Sequence, residues 1–428
     1  MTEVSGRHRL RNIVGGSAGN LVEWFDWYIY AAFTLYFAPS FFPKGDSNAQ
    51  LLSSAAVFAV GFVMRPIGAW AMGIYADRKG RKAGLTLSVS LMCLGSLMIA
   101  AAPTYATAGL LSPTVLVIAR MIQGLSLGGE YGSSATYLSE MAGKERRGFW
   151  SSFQYVTLIA GQLVALALLL LLQSVMPEAA LEAWGWRIAF LCGALLAVVV
   201  FFIRRRLSES PGYEAAVRSG KTSSGASLFR DHPREALLVM ALTAGGTLAF
   251  YAYTTYMQKY LANTVGFDRP TASRIMTAAL FVFMLLQPVA GMISDRVGRK
   301  PVMIAFGIAG TVLTVPIFFA LEDVRSPWAA FALVMTSLVL VTGYTSINAV
   351  VKAELFPSHI RALGVALPYA IANTIFGGTA EYVALWLKGA GHERLFYFYV
   401  AGMIGLSLIA YTRMRETRTT SQIDQDLV

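Results

Sequence analysis

The sequence predicts an all-α membrane protein with twelve transmembrane helices arranged in two pseudo-symmetric six-helix bundles. Three observations lead to this prediction. Hydrophobic residues make up 56% of the 428-residue chain and charged residues only 14%, a balance unlike that of soluble domains of this length. Apolar segments of about 20 residues, enough to cross a bilayer as a helix, recur along the chain. One ten-residue motif also occurs twice, about half a chain apart.

Apolar segments separated by polar loops place the twelve helices along the chain. The predicted spans are 12–38, 51–75, 84–102, 113–139, 149–173, 185–203, 236–260, 271–293, 301–320, 328–352, 361–387 and 394–412. Short basic clusters precede the first helix or follow even-numbered helices. This positive-inside pattern predicts that both termini face the cytoplasm, and it accounts for the net charge of +11 without a nucleic-acid partner.

The longest hydrophilic stretch predicts the boundary between the two halves. It runs over 204–235 and contains several Ser, Gly and Pro residues, as a linker does. We therefore expect an N-terminal six-helix bundle at 1–203, a cytoplasmic linker at 204–235, and a C-terminal six-helix bundle with a cytoplasmic tail at 236–428.

Two internal repeats relate the halves to each other. The stretch GIYADRKGRK (Gly73–Lys82) returns 218 residues later as GMISDRVGRK (Gly291–Lys300). A glutamate followed by arginine and glycine also recurs, with Glu354 lying 214 residues after Glu140. Two homologous halves that face each other are typical of alternating-access transporters.

The repeated loops also predict a latch on the cytoplasmic side. Their glycines permit tight turns and close helix contact, and Arg81 and Arg299 could pair with Glu140 and Glu354, respectively. Such contacts must break when this side opens. A basic loop that only sets the topology is the alternative, but the double occurrence favours a latch. The predicted latch residues are Gly73, Asp77, Arg81, Glu140, Gly291, Asp295, Arg299 and Glu354.

Several motifs resemble those of a known family. The repeated loops resemble the signature of the major facilitator superfamily. Four further motifs resemble its metabolite–proton symporter family, and the similarity covers nearly the whole chain. They are GNLVEWFDWYIY (Gly19–Tyr30), GFVMRPIGAW (Gly61–Trp70), RMIQGLSLGGEYG (Arg120–Gly132) and WGWR (Trp184–Arg187). This resemblance implies a symporter of a small metabolite and protons, located in the bacterial inner membrane.

Three more motifs bear on the substrate. SFQYVTLIAGQL (Ser152–Leu163), YTTYMQKYL (Tyr253–Leu261) and IFGGTAEYVAL (Ile375–Leu385) resemble family members that carry α-ketoglutarate. The resemblance therefore implies α-ketoglutarate or a similar dicarboxylate as the substrate. Carriers of shikimate, citrate and proline/betaine share the four earlier motifs, so these solutes remain alternatives.

Other classes of function receive less support. A dicarboxylate exchanger that moves no net protons is the alternative carrier class. An enzyme is not expected, because the sequence has no nucleophile–base set, metal-ligand spacing or phosphate-binding loop, and we expect no cofactor or metal. A two-half repeat with a latch also argues against a channel. We expect a monomer that contacts membrane lipid.

Charged residues inside the predicted spans mark the candidate site, because each costs about 2.5–3.5 kcal/mol at bilayer depth. Six such residues are Glu23, Asp26, Arg65, Arg120, Glu130 and Glu381. Acids outnumber bases by four to two. If both arginines pair with carboxylates, two acids remain to carry protons, as a proton-coupled carrier requires.

Helix 1 carries the predicted proton site. Asp26 lies near the middle of its span and is the first candidate, with Glu23 and Glu130 as further candidates. The resemblance implies that Arg120 on helix 4 faces a helix 1 acid, so we expect an Arg120–Asp26 pair. Protonation of Asp26 would then free the guanidinium for a substrate carboxylate. A fixed salt bridge that only joins helices is the alternative.

The remaining candidates would bind substrate. Arg65 is either an anion anchor or the permanent partner of a helix 1 acid such as Glu23. Residues near the outer end of helix 7 could form an interfacial belt, or Lys259 could hold the distal carboxylate with Glu381 as its counter-ion. The predicted substrate-binding residues are Arg65, Arg120, Gln123, Tyr30, Tyr253, Gln258, Lys259, Asn373 and Glu381.

Overall fold

We describe the fold from a computed structural model of the chain. It describes residues 6–43, 45–79, 81–205, 225–357 and 360–425. Within these ranges, the side chains of residues 6–19, most of 73–85, 203–205 and a few isolated positions lie outside the description.

Twelve long helices make up most of the described chain. They are α1 (Gly6–Phe41), α2 (Ser47–Lys79), α3 (Arg81–Ala101), α4 (Leu111–Glu140), α5 (Lys144–Val175), α6 (Glu178–Phe202), α7 (Pro233–Val265), α8 (Arg269–Val297), α9 (Arg299–Glu322), α10 (Pro327–Leu355), α11 (Arg361–Gly389) and α12 (Arg394–Arg413). Short helices lie at Tyr105–Ala108, Gly225–Asp231 and Gln422–Gln425. Ten of the twelve are long and apolar enough by themselves to cross a membrane, and α1 and α3 have 36 and 21 residues. The twelve-helix prediction is confirmed.

Several helices run further than hydropathy predicts. Helix α1 begins at Gly6, and α10 continues to Leu355. Polar residues at these ends lower the local hydropathy, but they continue the hydrogen-bonded turns of the helix. The predicted division at 204–235 stays a prediction, because 206–224 lie outside the described residues.

The two halves use the same helix pairings. In the first half α2 packs on α4, α3 on α6 and α1 on α5; in the second half α8 packs on α10, α9 on α12 and α7 on α11. Each pairing recurs six helices later. The halves meet where α2 packs against α11 and where α8 packs against α5. These two contacts are equivalent, because α8 corresponds to α2 and α11 corresponds to α5. The two pseudo-symmetric bundles are confirmed.

Glycines on α4 allow its close packing. A Cβ at Gly124 or Gly128 would collide with the backbone of α2, and one at Gly132 would collide with Ala366 of α11. The row therefore holds α4 against α2 within its own half and against α11 of the other half.

Three helices that border the centre depart from regular geometry. Helix α7 contains π-helical turns at Ala252–Tyr256 and Leu261–Val265, and α11 contains one at Asn373–Gly377. Helix α10 is interrupted between Thr345 and Asn348. Such irregular turns often lie at functional sites, and these reorient side chains of the second half.

Candidate functional site

Asp26 and Arg120 lie in one buried network, but they do not form the direct ion pair that we predicted. Both side chains are fully buried. The Nε2 atom of Gln123 donates to Asp26 at 2.8 Å, and Arg120 donates to the Oε1 atom of Gln123 at 2.8 Å. The Ser96 hydroxyl donates to the other Asp26 oxygen. Gln123 therefore separates the two charges, because it lies one turn beyond Arg120 on the same face of α4.

The Arg120 guanidinium is held by aromatic rings. Its Cζ atom lies 3.8 Å from the Trp27 ring centroid and 4.4 Å from that of Tyr30. The Tyr30 hydroxyl donates to the Ser54 carbonyl at 2.8 Å, so the ring supports Arg120 while the hydroxyl is already bonded. Among described residues, the Nε and Nη2 atoms of Arg120 have no hydrogen-bond partner. Those donors remain available to an anion.

Arg65 has a similar aromatic setting. Its Cζ atom lies 4.0 Å from the Phe62 centroid and 4.2 Å from the Trp27 centroid, so Trp27 contacts both guanidinium groups. Tyr251 of the second half also interacts with Arg65. In the described part of the chain, the Nε and Nη2 atoms of Arg65 lack hydrogen-bond partners. Of the two alternatives for Arg65, the permanent pairing with Glu23 is therefore not found among described contacts, and Glu23 itself is buried.

Two small cavities lie between the halves. One is lined by Arg65 and Trp24 of the first half, by Tyr131 of α4 and by Tyr369 of α11. The other is lined by side chains of α1, α5, α7 and α8, including Gln162 and Gln258. Each has room for about one water molecule. The structure thus represents a closed state that must expand to hold a metabolite.

Lys259 and Glu381 form the predicted pair. The Lys259 Nζ atom donates to Glu381 at 2.8 Å, and both side chains are buried. Tyr253 and Tyr256 are buried as well, so the alternative of an interfacial belt on helix 7 is wrong. The Tyr253 hydroxyl lies 2.5 Å from the hydroxyl of Thr314 on α9. The side chain therefore packs inside the second bundle, and its role in substrate binding stays a prediction.

Two amides of the second half lie nearer the centre. Gln258 lines a cavity and donates to the Ser273 hydroxyl at 3.1 Å. Asn373 lies in the π-helical turn of α11, and its Oδ1 atom accepts a hydrogen bond from Thr247. Its Nδ2 atom has no partner among described residues. Asn373 therefore retains a donor for a ligand.

Lys352 on α10 is a buried charge that the sequence analysis missed. It is fully buried, and its Nζ atom donates to Asn348 at 2.8 Å. The predicted helix ended at this residue, which suggested exposure, whereas α10 continues for another three residues to Leu355. The sequence feature that could have revealed this buried lysine is the Asn348–Lys352 pair, spaced i, i+4 within an apolar span.

The buried lysines correct the predicted surplus of acids. Buried central acids in the described residues are Glu23, Asp26, Glu130 and Glu381, and the buried central bases are Arg65, Arg120, Lys259 and Lys352. The numbers are equal. The candidate site therefore does not carry the excess of carboxylates that the sequence suggested.

The second repeated loop joins the halves at the end of the molecule that we call the latch face. Asp295 of α8 accepts hydrogen bonds from the backbone N–H groups of Gly148 and Phe149 at 2.7 and 2.9 Å. Arg299 donates to the same carboxylate at 2.7 Å. A Cβ at Gly291 would collide with the Gly148 backbone. Asp295 thus binds the first α-helical turn of α5, which follows the 3-10 turn Lys144–Arg146 and whose free N–H groups favour an anion.

The second repeat pairs crosswise between the halves. Arg147 of α5 lies 3.4 Å from Glu354 of α10, and Arg361 of α11 lies 2.5 Å from Glu140 of α4. The predicted Arg299–Glu354 contact is also present, at 3.6 Å. The surroundings of Gly73 and the side chains of Asp77 and Arg81 lie outside the description.

The C-terminal tail extends across the latch face. Asp424 accepts a hydrogen bond from Arg147 at 2.8 Å, and Thr417 donates to Glu354 at 2.6 Å. Glu416 accepts from the backbone N–H groups of Arg299 and Lys300, each at 2.9 Å. The tail therefore contacts both halves, an arrangement that no pattern in the sequence indicated.

The opposite end, which we call the distal face, also joins the halves. Arg269 of α8 forms ion pairs with Glu182 and, at 3.1 Å, with Glu178. Asn48 of α2 donates to the Leu385 carbonyl of α11 at 3.3 Å. No group of three or more His, Cys, Asp or Glu side chains in the described ranges is arranged to hold a metal ion.

Known proteins resemble the chain in sequence along its length. The model of the family described as "Sugar (and other) transporter" matches residues 12–224 and 213–427. An α-ketoglutarate permease of Escherichia coli (strain K12) is 54% identical over 94% of this chain and 93% of its own. The inner membrane metabolite transport protein YhjE of the same organism is 32% identical over 98% of this chain and 97% of its own.

A solved structure shares the fold. The proton:xylose symporter XylE bound to 6-bromo-6-deoxy-D-glucose has a TM-score of 0.78 with 17% identity, and the match covers 97% of this chain and 98% of XylE. At this identity the match concerns the fold alone. The chain therefore belongs to the sugar (and other) transporter family within the major facilitator superfamily, and it is a multi-pass membrane transporter rather than an enzyme.

Proposed function

We propose that this protein is a proton-coupled symporter that imports α-ketoglutarate by alternating access. One observation carries the proposal: Arg65, which lines a cavity between the halves, and the buried Arg120 both have N–H donors that no described residue occupies. Guanidinium groups bind carboxylates through paired N–H donors. The extensive identity to an α-ketoglutarate permease supports this substrate among carboxylates.

Aromatic rings make these arginines suitable for reversible binding. Trp27, Tyr30 and Phe62 stabilise the two cations through their ring faces without occupying the uncommitted N–H donors. A carboxylate could therefore bind without first breaking a salt bridge. Asn373, with its unused Nδ2 donor, and Gln258 would contribute neutral hydrogen bonds from the second half.

Proton coupling is proposed to act through Asp26. The carboxylate is connected to Arg120 by Gln123, whose amide donates to Asp26 and accepts from Arg120. A protonated Asp26 no longer needs the amide donor, so Gln123 can turn and release Arg120 toward the substrate. Glu23 and Glu130 are further candidates for carrying protons. Protonation would thus change the position of a cation rather than break a direct ion pair.

The membrane potential explains why protons are needed. A dianion that enters a cell with a negative interior is opposed by about 2.3 kcal/mol per charge for each 100 mV. Cotransport of at least two protons cancels this opposition. We place the protein in the bacterial inner membrane as a monomer in contact with lipid. The termini and the latch face lie on the cytoplasmic side.

Uptake by the purified protein tests the proposal. In proteoliposomes with an imposed pH gradient, acidic outside, radiolabelled α-ketoglutarate should accumulate above its external concentration. Excess α-ketoglutarate should compete better than shikimate, citrate or proline. Stronger competition by one of these solutes would indicate that this solute, rather than α-ketoglutarate, is the substrate. Uptake that requires a second solute inside the proteoliposomes and does not depend on the pH gradient would identify an exchanger.

Two variants test the residues. Asp26→Asn should abolish accumulation against a gradient while exchange of α-ketoglutarate across the membrane continues, because the amide cannot carry a proton. Arg120→Lys should lower the apparent affinity by about tenfold or more, since an ammonium cannot reproduce the paired donors. Gradient-driven accumulation by Asp26→Asn, or normal affinity in Arg120→Lys, would contradict the assigned roles.

A further inference from the structure

Lys352 is a fully buried cation that has no described carboxylate partner. Its one hydrogen bond goes to the amide oxygen of Asn348, at 2.8 Å. A lysine ammonium carries three donors, and burial of a charge without a counter-ion is costly. Lys259, the other buried lysine of this half, already pairs with Glu381. Of the buried cations described in the second half, Lys352 is therefore the one without a carboxylate partner.

Tyrosine rings surround the Lys352 ammonium. The Nζ atom lies 3.9 Å from the Tyr369 ring centroid, 5.7 Å from that of Tyr131 and 6.0 Å from that of Tyr344. Ring faces attract a cation, but they are weaker partners than a carboxylate. The surroundings thus hold Lys352 in position without neutralising it, as the rings around Arg65 and Arg120 do in the first half.

The ring pair in front of Lys352 comes from both halves. Tyr131 of α4 and Tyr369 of α11 are stacked, with centroids 4.0 Å apart, and both line the cavity that Arg65 also lines. The Tyr131 hydroxyl donates to the same Asn348 oxygen that accepts from Lys352. Movement of the two halves apart at this level would separate this stack. Separation would expose the ammonium to the cavity opposite Arg65.

We propose that Lys352 binds the second carboxylate of the transported dianion. The arginines of the first half hold one carboxylate, and Lys352 holds the other when Tyr131 and Tyr369 part. Asn348 and the rings hold the lysine in place while the site is empty. This inference rests on the proposed function, because it assigns the selectivity for two carboxylates to one residue. It replaces Lys259, the distal anchor that the sequence suggested.

A comparison of substrates tests this role. Initial uptake of α-ketoglutarate and of 2-oxopentanoate, which has the same chain without the distal carboxylate, is measured in proteoliposomes with equal amounts of protein. In Lys352→Met the ratio of kcat/KM for the two substrates should fall by about 10- to 100-fold, mainly through the KM for α-ketoglutarate. Lys352→Arg, which keeps the charge, should retain most of the preference. Lys388→Met makes the same change in the same half, at a lysine bonded to Thr264 and Asn263 on the distal face, and should leave the ratio unchanged.

The outcomes separate this inference from the proposed function. If Lys352→Met keeps the wild-type ratio, or if the ratio falls equally in Lys388→Met, Lys352 does not bind the second carboxylate. If the Met variant does not reach the membrane, Lys352→Arg and Lys352→Gln are compared instead. Lys352→Gln should lose the preference for α-ketoglutarate over 2-oxopentanoate that Lys352→Arg retains. Equal kcat/KM ratios in these two variants would overturn the inference. Failure of the wild-type protein to take up any dicarboxylate would instead contradict the proposed function.

Discussion

The latch face and the distal face both join the halves through an arginine, but the two arginines lie in different surroundings. Arg147 and Glu354 have side chains that are 2% and 0% exposed, whereas Arg269 and Glu182 are 30% and 37% exposed. Removal of one partner from a buried ion pair leaves a charge without compensation, while water replaces the partner of an exposed one. Burial of the ion pairs, more than their number, therefore decides which face contributes more to the stability of the closed state.

The latch face also has partners that the distal face lacks. Asp295 binds two backbone N–H groups of α5, and the tail reaches Arg147 and Glu354 through Asp424 and Thr417. Opening this face must separate Asp295 from the α5 backbone and Arg147 from Glu354 and Asp424. On the distal face, the described polar contacts between halves involve partly exposed side chains. We therefore expect the distal face to open at the lower free-energy cost.

The largest effect is expected from Arg147→Ala. The change leaves Glu354 buried with the Thr417 hydrogen bond and a longer Arg299 contact at 3.6 Å, and it leaves Asp424 with the exposed Lys144 as its ion-pair partner. We expect a loss of stability of the closed state of about 3–5 kcal/mol, measured as a lower thermal midpoint of the purified protein, and uptake reduced at least tenfold. Arg146→Ala removes an exposed neighbour and serves as the control. Equal midpoints for the two variants would show that burial does not distinguish these positions.

Asp295→Asn is expected to have an intermediate effect. Asparagine has one accepting oxygen where aspartate has two, so it cannot reproduce all of the hydrogen bonds from Gly148, Phe149 and Arg299. The negative charge at the start of α5 is also lost. We expect a loss of about 1–3 kcal/mol and slower uptake with an unchanged KM. Fluorescence transfer between labels on the two halves at the latch face should report a larger open fraction. An unchanged open fraction would remove Asp295 from the latch.

A smaller, pH-dependent effect is expected at Asp424. Partial burial alone would raise the pKa of this carboxyl, but the hydrogen bond from Arg147 and the charge of Lys144 outweigh it and lower the pKa. The folded-state pKa is depressed, so the tail contact is fully formed above the ordinary Asp pKa of about 3.9 and is lost as the pH falls through the lowered value.

Protease cleavage of the tail checks this expectation. Cleavage should stay constant between about pH 5 and 8, because the carboxyl remains ionised there. Asp424→Asn should speed cleavage across that range, by an amount that corresponds to about 1 kcal/mol of lost docking free energy. Equal cleavage of the variant and the wild type at neutral pH would show that this carboxylate does not hold the tail.

The smallest effect is expected from Arg269→Ala on the distal face. Its ion pairs to Glu178 and Glu182 are partly exposed, so we expect a change in stability of about 0.5 kcal/mol or less. Added salt should remove the effect, because screening acts on exposed charges. The Arg147→Ala effect should persist at the same ionic strength. A salt-independent loss in Arg269→Ala would contradict the assignment of the distal face as the weaker one.

Hydropathy and internal repetition are enough to predict the number of helices, the two-half repeat and the residues of the second repeated loop. Each follows from local properties: bilayer thickness requires about 20 apolar residues for a helix, and a repeated motif is visible without knowledge of its contacts. The Lys259–Glu381 and Arg299–Glu354 contacts were also predictable. They join charges that have few alternatives inside an apolar chain.

The connections between the buried charges follow from the packing of the helices and could not be predicted from the sequence. Gln123 separates Asp26 from Arg120, Tyr253 turns into its own bundle, and Lys352 lies among rings from three helices. The crosswise pairs of the second repeat and the docking of the tail join residues more than 200 positions apart. These features depend on distances across the packed bundles, and hydropathy and spacing describe only neighbours along a single helix.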